Sequence, residues 1–493
     1  MSTLRNLATL LVLPSALAAI PLHSLSPESL ETSFPGRPGV DPFHLQLGSD
    51  TASVCNSSTP GISGFITTDN NGGDECNSSI FFWLFESKND PKADPVILWM
   101  TGGPGASSVG YGALMELGPC RIASEGGYTV RNDFGWNKNA TVLFVDQPLG
   151  VGYSHGGRTP TGLLDASATM DRFLRQFMIA FPDLAEMDFY IAGESYGGSW
   201  VPALASTILE TQDHSRDVQT PELETKLQYL LDAAPAPIIH LKGVMVGNGL
   251  IRRSVQNIGF FETVCAAPDS LFDSAQCLEW APTAMWCEEN LGICEMAGMT
   301  SPDCKNAEQR CSGISSVVVE TMHRNPYDFR RHCDDPSACY SEMKHIVDYL
   351  NQTRIKTLLG VPADQPFVGT SYDVFEQFEK VGDLWRASDV YINRLLHAGI
   401  HVLIYVGDKD LYCNAAGMRL LVDRGLSWDG QPFMRLRELQ PWYVGTKPAG
   451  RWKAYGPLTY AEISDAGHLA PFDKGEESLV LINSWIDGLF PTV

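Results

Sequence analysis

The sequence predicts an α/β fold: a mostly parallel, helix-covered sheet interrupted by a disulfide-rich helical cap insertion. Three observations carry that expectation. From Phe65 onward, short apolar runs bounded by turn residues alternate with helical stretches, the pattern of strand–helix–strand units. One of these runs leads directly into Gly193-Glu194-Ser195-Tyr196-Gly197 and then into a helical stretch reaching Glu210. Eight of the twelve cysteines crowd between Cys265 and Cys339, where the alternation stops.

At the N-terminus a single charge, Arg5, precedes an apolar run over residues 7–19, and Ala16-Leu17-Ala18 forms a small-residue cleavage pattern. Residues 1–18 therefore read as a signal peptide for the secretory pathway. The run's thirteen residues fall short of the about 20 needed to cross a bilayer. No later run is longer, and the C-terminus lacks the apolar tail of a lipid-anchor signal, so no membrane anchor is expected. Residues 19–50, rich in Pro, Ser and Gly, read as a pro-segment or extended N-terminal arm. The runs from Ile80 to Phe85, Val96 to Met100, Thr141 to Val145, Asp188 to Ala192, Val244 to Val246 and His401 to Val406 read as buried strands. Residues 51–250 and 366–493 then form two parts of one core, with the cap over residues 251–365 between them.

Composition narrows the function. Hydrophobic residues make up 44% of the 493 positions and charged residues 19%, enough for a large core. The net charge is −23, and such a field repels polyanions, so neither nucleic acid nor an anionic membrane is an expected partner. Twelve cysteines fit an oxidising compartment, and no CxxC pair marks a zinc site. Sequons at Asn56, Asn77, Asn139 and Asn351 fit the same route.

The chemistry starts at Ser195. A G-x-S-x-G run between an apolar strand and a helix is the setting in which a serine hydroxyl projects from a strained elbow. Serine needs a neighbouring base, and the expected chain order is serine, acid, histidine. Tyr405-Val406-Gly407-Asp408-Lys409-Asp410 places two aspartates just past a strand end, and Ser464-Asp465-Ala466-Gly467-His468 places a histidine in a loop after the strand Leu458 to Ile463. These residues alone leave Asp408 and Asp410 both open as the acid. Trp99-Met100-Thr101-Gly102-Gly103-Pro104-Gly105 follows an upstream strand and offers backbone N–H groups for an oxyanion, paired with the N–H of Tyr196. Glu194 at the elbow and Glu116 beyond the glycine loop could form a buried carboxyl pair. Such a pair keeps one member protonated, so that it can hold a substrate carboxylate at acidic pH.

Five ordered motifs resemble the serine carboxypeptidases of the yeast carboxypeptidase Y type, from about Gly64 to Phe490. They are Gly102-Gly103-Pro104-Gly105-Ala106-Ser107-Ser108, Asp146-Gln147-Pro148-Leu149-Gly150-Val151-Gly152-Tyr153-Ser154, Gly193-Glu194-Ser195-Tyr196-Gly197-Gly198, Gly407-Asp408-Lys409-Asp410 and Ala466-Gly467-His468. The resemblance implies an α/β-hydrolase fold with a cap, Asp410 as the acid, and the Gly103 and Tyr196 N–H groups as oxyanion donors. It implies cap disulfides Cys265–Cys277, Cys287–Cys311, Cys294–Cys304 and Cys333–Cys339, and a free thiol, Cys413, near the substrate pocket. Of Cys55, Cys76 and Cys120, one pair is expected, taken as Cys55–Cys120, leaving an odd thiol. Trp99, Glu116 and Glu194 match the family's carboxylate-recognition set, whereas Thr101 stands where the family has Asn, beside Gly102. Ala106 replaces a frequent Cys whose partner, near Thr370-Ser371, is also missing. Leu469 replaces a frequent Met in the leaving-group pocket.

The activity this implies is release of C-terminal amino acids from peptides and proteins, in a secreted protein or, alternatively, a vacuolar one. Ser195 would attack, His468 would shuttle the proton and Asp410 would orient it, with no metal or organic cofactor. A carboxypeptidase-like acyltransferase is the alternative that Thr101 favours, and an inactive binding homologue is a third.

Overall fold

The structure is a computed structural model that describes residues 31–490 except 38, 49, 56–60, 70–76, 218–235, 266–269, 298–299 and 334–338. The expected signal peptide, the sequon Asn56 and the thiol of Cys76 lie outside the described residues.

Strand order explains where the site forms. From one edge the sheet runs Glu31–Phe34, Phe43–Leu47, Gly61–Thr68, Ser78–Phe85, Thr141–Val145, Val96–Met100, Phe189–Ser195, Leu241–Gly249, His401–Gly407, Leu458–Ile463, Lys447–Tyr455 and Gln440–Val444, with His155–Gly156 added beside Ser78 and Ser79. The strands from Thr141–Val145 to Leu458–Ile463 pair in parallel. Both flanks are antiparallel; at the far one, Lys447–Tyr455 and Leu458–Ile463 follow one another through the short turn Gly456-Pro457 rather than through a crossover helix. The sheet is therefore mixed, with its parallel part at the centre. Met100, Ser195, Gly249, Gly407 and Ile463 all end at the carboxyl edge of that centre, which is where open α/β sheets gather their functional loops.

The apolar runs are continuous because both faces of the sheet are covered. Along Ser78–Phe85, Phe82 and Leu84 pack into one core, with helix Leu163–Ala180, and Phe81, Trp83 and Phe85 into the other. In the first core Phe177 meets the rings of Phe82, Phe173 and Phe181 at 5.3, 5.9 and 4.8 Å. We expect Phe177→Ala to cost about 3–5 kcal/mol, read as a fall in the chemical-denaturation midpoint, because the rings around it cannot close the cavity.

The stretch assigned to a pro-segment or arm is, from Glu31 onward, part of the sheet: two antiparallel strands pair Glu31 with Gln46 and Phe43 with Thr68, and Phe34, Phe43, Leu45 and Leu47 are buried. The period-2 pattern Phe43-Leu45-Leu47 outweighs the Pro, Ser and Gly around it.

Residues 251–365 carry the helices Arg253–Cys265, Ser274–Ala297, Pro302–Cys311, Ser341–Leu350 and Thr353–Leu359, and also a short hairpin, Arg324–Asn325 with Asp328–His332. Disulfides join Cys265 to Cys277, Cys287 to Cys311, Cys294 to Cys304, Cys333 to Cys339 and, outside the cap, Cys55 to Cys120. Asn77, Asn139 and Asn351 are exposed. Nδ2 of Asn351 already donates to the carbonyls of Val347 and Phe367. No described helix is long and apolar enough to cross a membrane.

Candidate active site

Ser195 ends its strand at φ 58°, a left-handed conformation that costs a non-glycine residue of order 1–3 kcal/mol and collects at functional sites. The strain is held from both sides. The carbonyl of Ser195 accepts from Leu250 N at 2.6 Å, and helix Gly197–Asp217 begins two residues on. Ser195 is half-buried while Glu194 and Tyr196, its neighbours, are buried, so the turn presents the hydroxyl and hides the flanking side chains.

The glycine loop lies against this elbow. A Cβ on Gly102 would stand 2.4 Å from Tyr196 N and 2.6 Å from the Ser195 Cβ, so only glycine lets the two backbones meet. Gly103 is exposed at φ 108°. Together they set two backbone segments, each with N–H groups, beside the serine. The loop is braced from behind by Asp146, fully buried, which accepts from Ser107 Oγ at 2.5 Å, Val109 N at 3.1 Å and Tyr153 N at 3.2 Å. Burial pushes the Asp146 carboxyl up to about 7 despite these donors. Ala106 pairs with Thr370 as a backbone bridge, flanked by Ser107 N to Gly369 O and Ser371 N to Gly105 O. Backbone hydrogen bonds thus hold the junction where the resembled family uses a disulfide.

Past the strand His401–Gly407, the two aspartates part company. Asp410 is fully buried, and its Oδ2 accepts from His468 Nδ1 at 2.7 Å, Asn248 Nδ2 at 2.9 Å and Cys413 N at 3.2 Å. Its Oδ1 accepts from Tyr412 N at 2.9 Å. Asp408 instead accepts from Asp465 N at 2.8 Å and so braces the histidine loop. An ionised carboxylate only accepts, so the proton on His468 sits on Nδ1 and its Nε2 keeps a lone pair. The Asp410, Cys413 and His468 donor atoms lie within 4.8 Å of one another, but the four donors already on Asp410 make this a hydrogen-bonded relay. Burial first, and the Asp410 charge second, raise the Cys413 thiol well above its ordinary value, so it stays a neutral thiol.

Glu116 and Glu194 meet in the interior at 0% and 2% exposure. The carboxyl of Glu116 has no donor among the described residues apart from Glu194. Burial is the main cause that raises both; the Glu116 charge further raises Glu194. Glu116 lies on the wide helix Ser108–Leu117, whose Gly112 packs on the Trp99 ring. Trp99 Nε1 donates to Thr101 Oγ1 at 2.9 Å, which leaves the threonine hydroxyl proton available to a further acceptor. Leu469 is buried beside His468.

Three residues that the sequence did not mark also shape the site. Asn248, at φ 39°, spans from Asp410 to Gly407 N; its flanking Gly247 and Gly249 at a strand end were the available signal. Arg121 donates to the carbonyls of Glu116 and Pro471 at 2.7 Å each, tying the glutamate to the histidine loop. Tyr327, from the cap hairpin, lies tilted against the His468 ring, with the ring centres 5.1 Å apart. Neither Arg121 nor Tyr327 belongs to a local pattern that spacing could flag.

The family profile described as "Serine carboxypeptidase" matches residues 55–488. The chain is 36% identical over 419 residues to carboxypeptidase Y of Schizosaccharomyces pombe, covering 84% of this chain and 40% of that protein's length. It is 35% identical over 416 residues to the vacuolar serine-type carboxypeptidase ATG42 of Saccharomyces cerevisiae, covering 83% and 76%. Among solved structures it is similar to Kex1Δp, a prohormone-processing carboxypeptidase from Saccharomyces cerevisiae, with a TM-score of 0.72, 22% identity, and coverage of 87% and 91%. That last likeness places the fold among the α/β-hydrolases.

Proposed function

Because the chain belongs to the serine carboxypeptidase family and is a serine-type carboxypeptidase, we propose that it releases C-terminal amino acids at acidic pH through an acyl-enzyme on Ser195. The observation that carries this reading is the 2.7 Å bond from His468 Nδ1 to Asp410 Oδ2, at the same carboxyl edge of the sheet as a serine held at φ 58°.

Ser195 attacks the last peptide carbonyl while His468 Nε2 takes its proton, and Asp410 holds the imidazolium. The backbone N–H groups of Gly103 and Tyr196 stabilise the oxyanion. His468 then protonates the leaving amino acid, and water repeats the sequence on the acyl-enzyme. Trp99, Thr101, Gly102, Glu116 and Glu194 receive the terminal carboxylate, and Leu469 and Cys413 line the neighbouring side-chain pockets. The two hydrolase parts enclose the cap of residues 251–365. The protein is secreted after removal of residues 1–18, with vacuolar delivery as the alternative that the relative named vacuolar supports, and its sequons carry glycans.

The test is amino-acid release from an N-blocked dipeptide at about pH 4.5, where the carboxyl pair holds its proton. The amide of the same dipeptide should react slower by about two orders of magnitude, the scale of losing one buried charge-assisted pair, and Ser195→Ala should release nothing. Labelling of Ser195 by a fluorophosphonate without release from either substrate would overturn hydrolysis in favour of acyl transfer, the reading that Thr101 in place of an amide side chain favours.

A further inference from the structure

The loops that carry Asp410 and His468 take part of their backbone hydrogen bonding from the cap, not from the sheet. The hairpin Arg324–Asn325 with Asp328–His332 reaches both. The Pro326 carbonyl accepts from Leu411 N at 3.1 Å, Phe329 N donates to Lys409 O at 3.1 Å, and the Tyr327 carbonyl accepts from His468 N at 2.7 Å. Gly467 packs so closely on the hairpin turn that a Cβ there would stand 2.5 Å from Tyr327 O and 2.9 Å from the Asp328 Cβ. Pro326, Tyr327 and Phe329 thus touch the backbone on either side of Asp410 and the backbone of His468.

The hairpin is itself locked to the histidine loop by charge. Asp328, with 0% side-chain exposure, accepts from Arg330 Nε and Nη2 at 2.8 Å each and pairs with Arg331 Nε at 3.0 Å. Arg331 Nη2 reaches Asp473 Oδ1 at 2.7 Å, and Asp473 Oδ2 accepts from Gly467 N at 2.7 Å. The Cys333–Cys339 disulfide closes the segment directly after the second hairpin strand. A chain of contacts therefore runs from Asp328 through Arg331 and Asp473 to the residue before His468.

We infer that this cap hairpin is a positioning element of the reaction, keeping the Asp410 and His468 loops in register with each other, and that Arg331 is the positioning residue that fastens it. The inference rests on reading Ser195, His468 and Asp410 as the reacting set. Arg331 is the residue to test because its side chain is 45% exposed and Asp328 keeps Arg330 when Arg331 is gone, so the buried carboxylate is not left bare. A small displacement of a reacting group is expensive in rate rather than in binding.

The experiment measures the rate of fluorophosphonate labelling, together with kcat and KM on an N-blocked dipeptide, in the wild type, Arg331→Gln, Arg331→Lys and Asp473→Asn. In Arg331→Gln, kcat and the labelling rate should both fall about tenfold with KM within about twofold, and labelling should still go to completion. Arg331→Lys should recover most of the loss, since it restores a cation between the two carboxylates. Wild-type kcat and labelling rate in a folded Arg331→Gln protein would overturn the inference, as would a loss confined to KM. Should Arg331→Gln fail to fold, Asp473→Asn decides in the same way, because it keeps an oxygen for Gly467 N and loses only the charge. A wild-type protein that never labels would instead strike the reading of the reacting set, and with it this inference.

Discussion

Asp410→Asn should lower kcat by about four orders of magnitude with little change in KM. The four donors that converge on Asp410, from His468, Asn248, Cys413 and Tyr412, need two acceptor oxygens, and a carboxamide has one. Its NH2 must then face a donor or turn toward the imidazole. In the second case His468 offers a lone pair at Nδ1 and carries its proton on Nε2, the wrong tautomer to accept from Ser195. The measurement is kcat per fluorophosphonate-titrated site. Asp408→Asn is the comparison, and it should cost far less, because Asp408 braces the Asp465 backbone and does not touch the imidazole. Equal losses in the two variants would sink the assignment of Asp410 as the acid.

The second large effect concerns pH. Burial, more than any neighbouring charge, raises Glu116 to about 7 and raises Glu194 well above its ordinary range. Arg121 and His468 pull Glu116 down, while Asp473 pushes it up and Asp410 pushes Glu194 up. Below that range the pair holds protons and can donate to a substrate carboxylate; above it, the substrate's negative charge meets further negative charge. KM for a free-acid dipeptide should therefore rise by up to about tenfold per pH unit above about 7, and Glu116→Gln, which keeps a donor at every pH, should flatten that rise. A KM profile that keeps its full slope in Glu116→Gln would refute the role of the pair. Stability follows the same sign. A carboxyl raised above its unfolded value contributes stability that is present below the ordinary glutamate range and is lost as pH rises through its folded value. Thermal midpoints should fall through about 7, and Glu116→Gln should remove part of that fall. Asp146, also raised to about 7 by burial, contributes a fall of the same sign.

What the sequence discloses and what it withholds divide along the distance over which a signal acts. The elbow at Ser195 is written in consecutive residues: an apolar strand, glycines and a helix start. The choice between Asp408 and Asp410 is not, because both follow the same strand and differ only in what they meet. His468 and Asn248 decide it, from far away in the chain. Arg121 acts through a guanidinium that bridges two carbonyls, and backbone acceptors leave no mark in a sequence. The cap hairpin was hidden among cysteines and charges, since its contribution is made by the carbonyls of Pro326 and Tyr327. The first two strands were obscured by their composition, although Phe43, Leu45 and Leu47 alternate as a half-buried strand should.

Those two strands bear on proteolytic maturation. Phe43–Leu47 covers Gly61–Thr68 over five residue pairs, and stripping it away would bare a long edge with Phe65 and Ile66 beneath, an invitation to aggregation. Trimming that preserves the enzyme therefore stops before Glu31. A protease that instead nicks the chain just after Cys55 frees nothing, because the Cys55–Cys120 disulfide keeps the severed piece attached. Such a nicked enzyme would migrate as one band without reductant and as two with it.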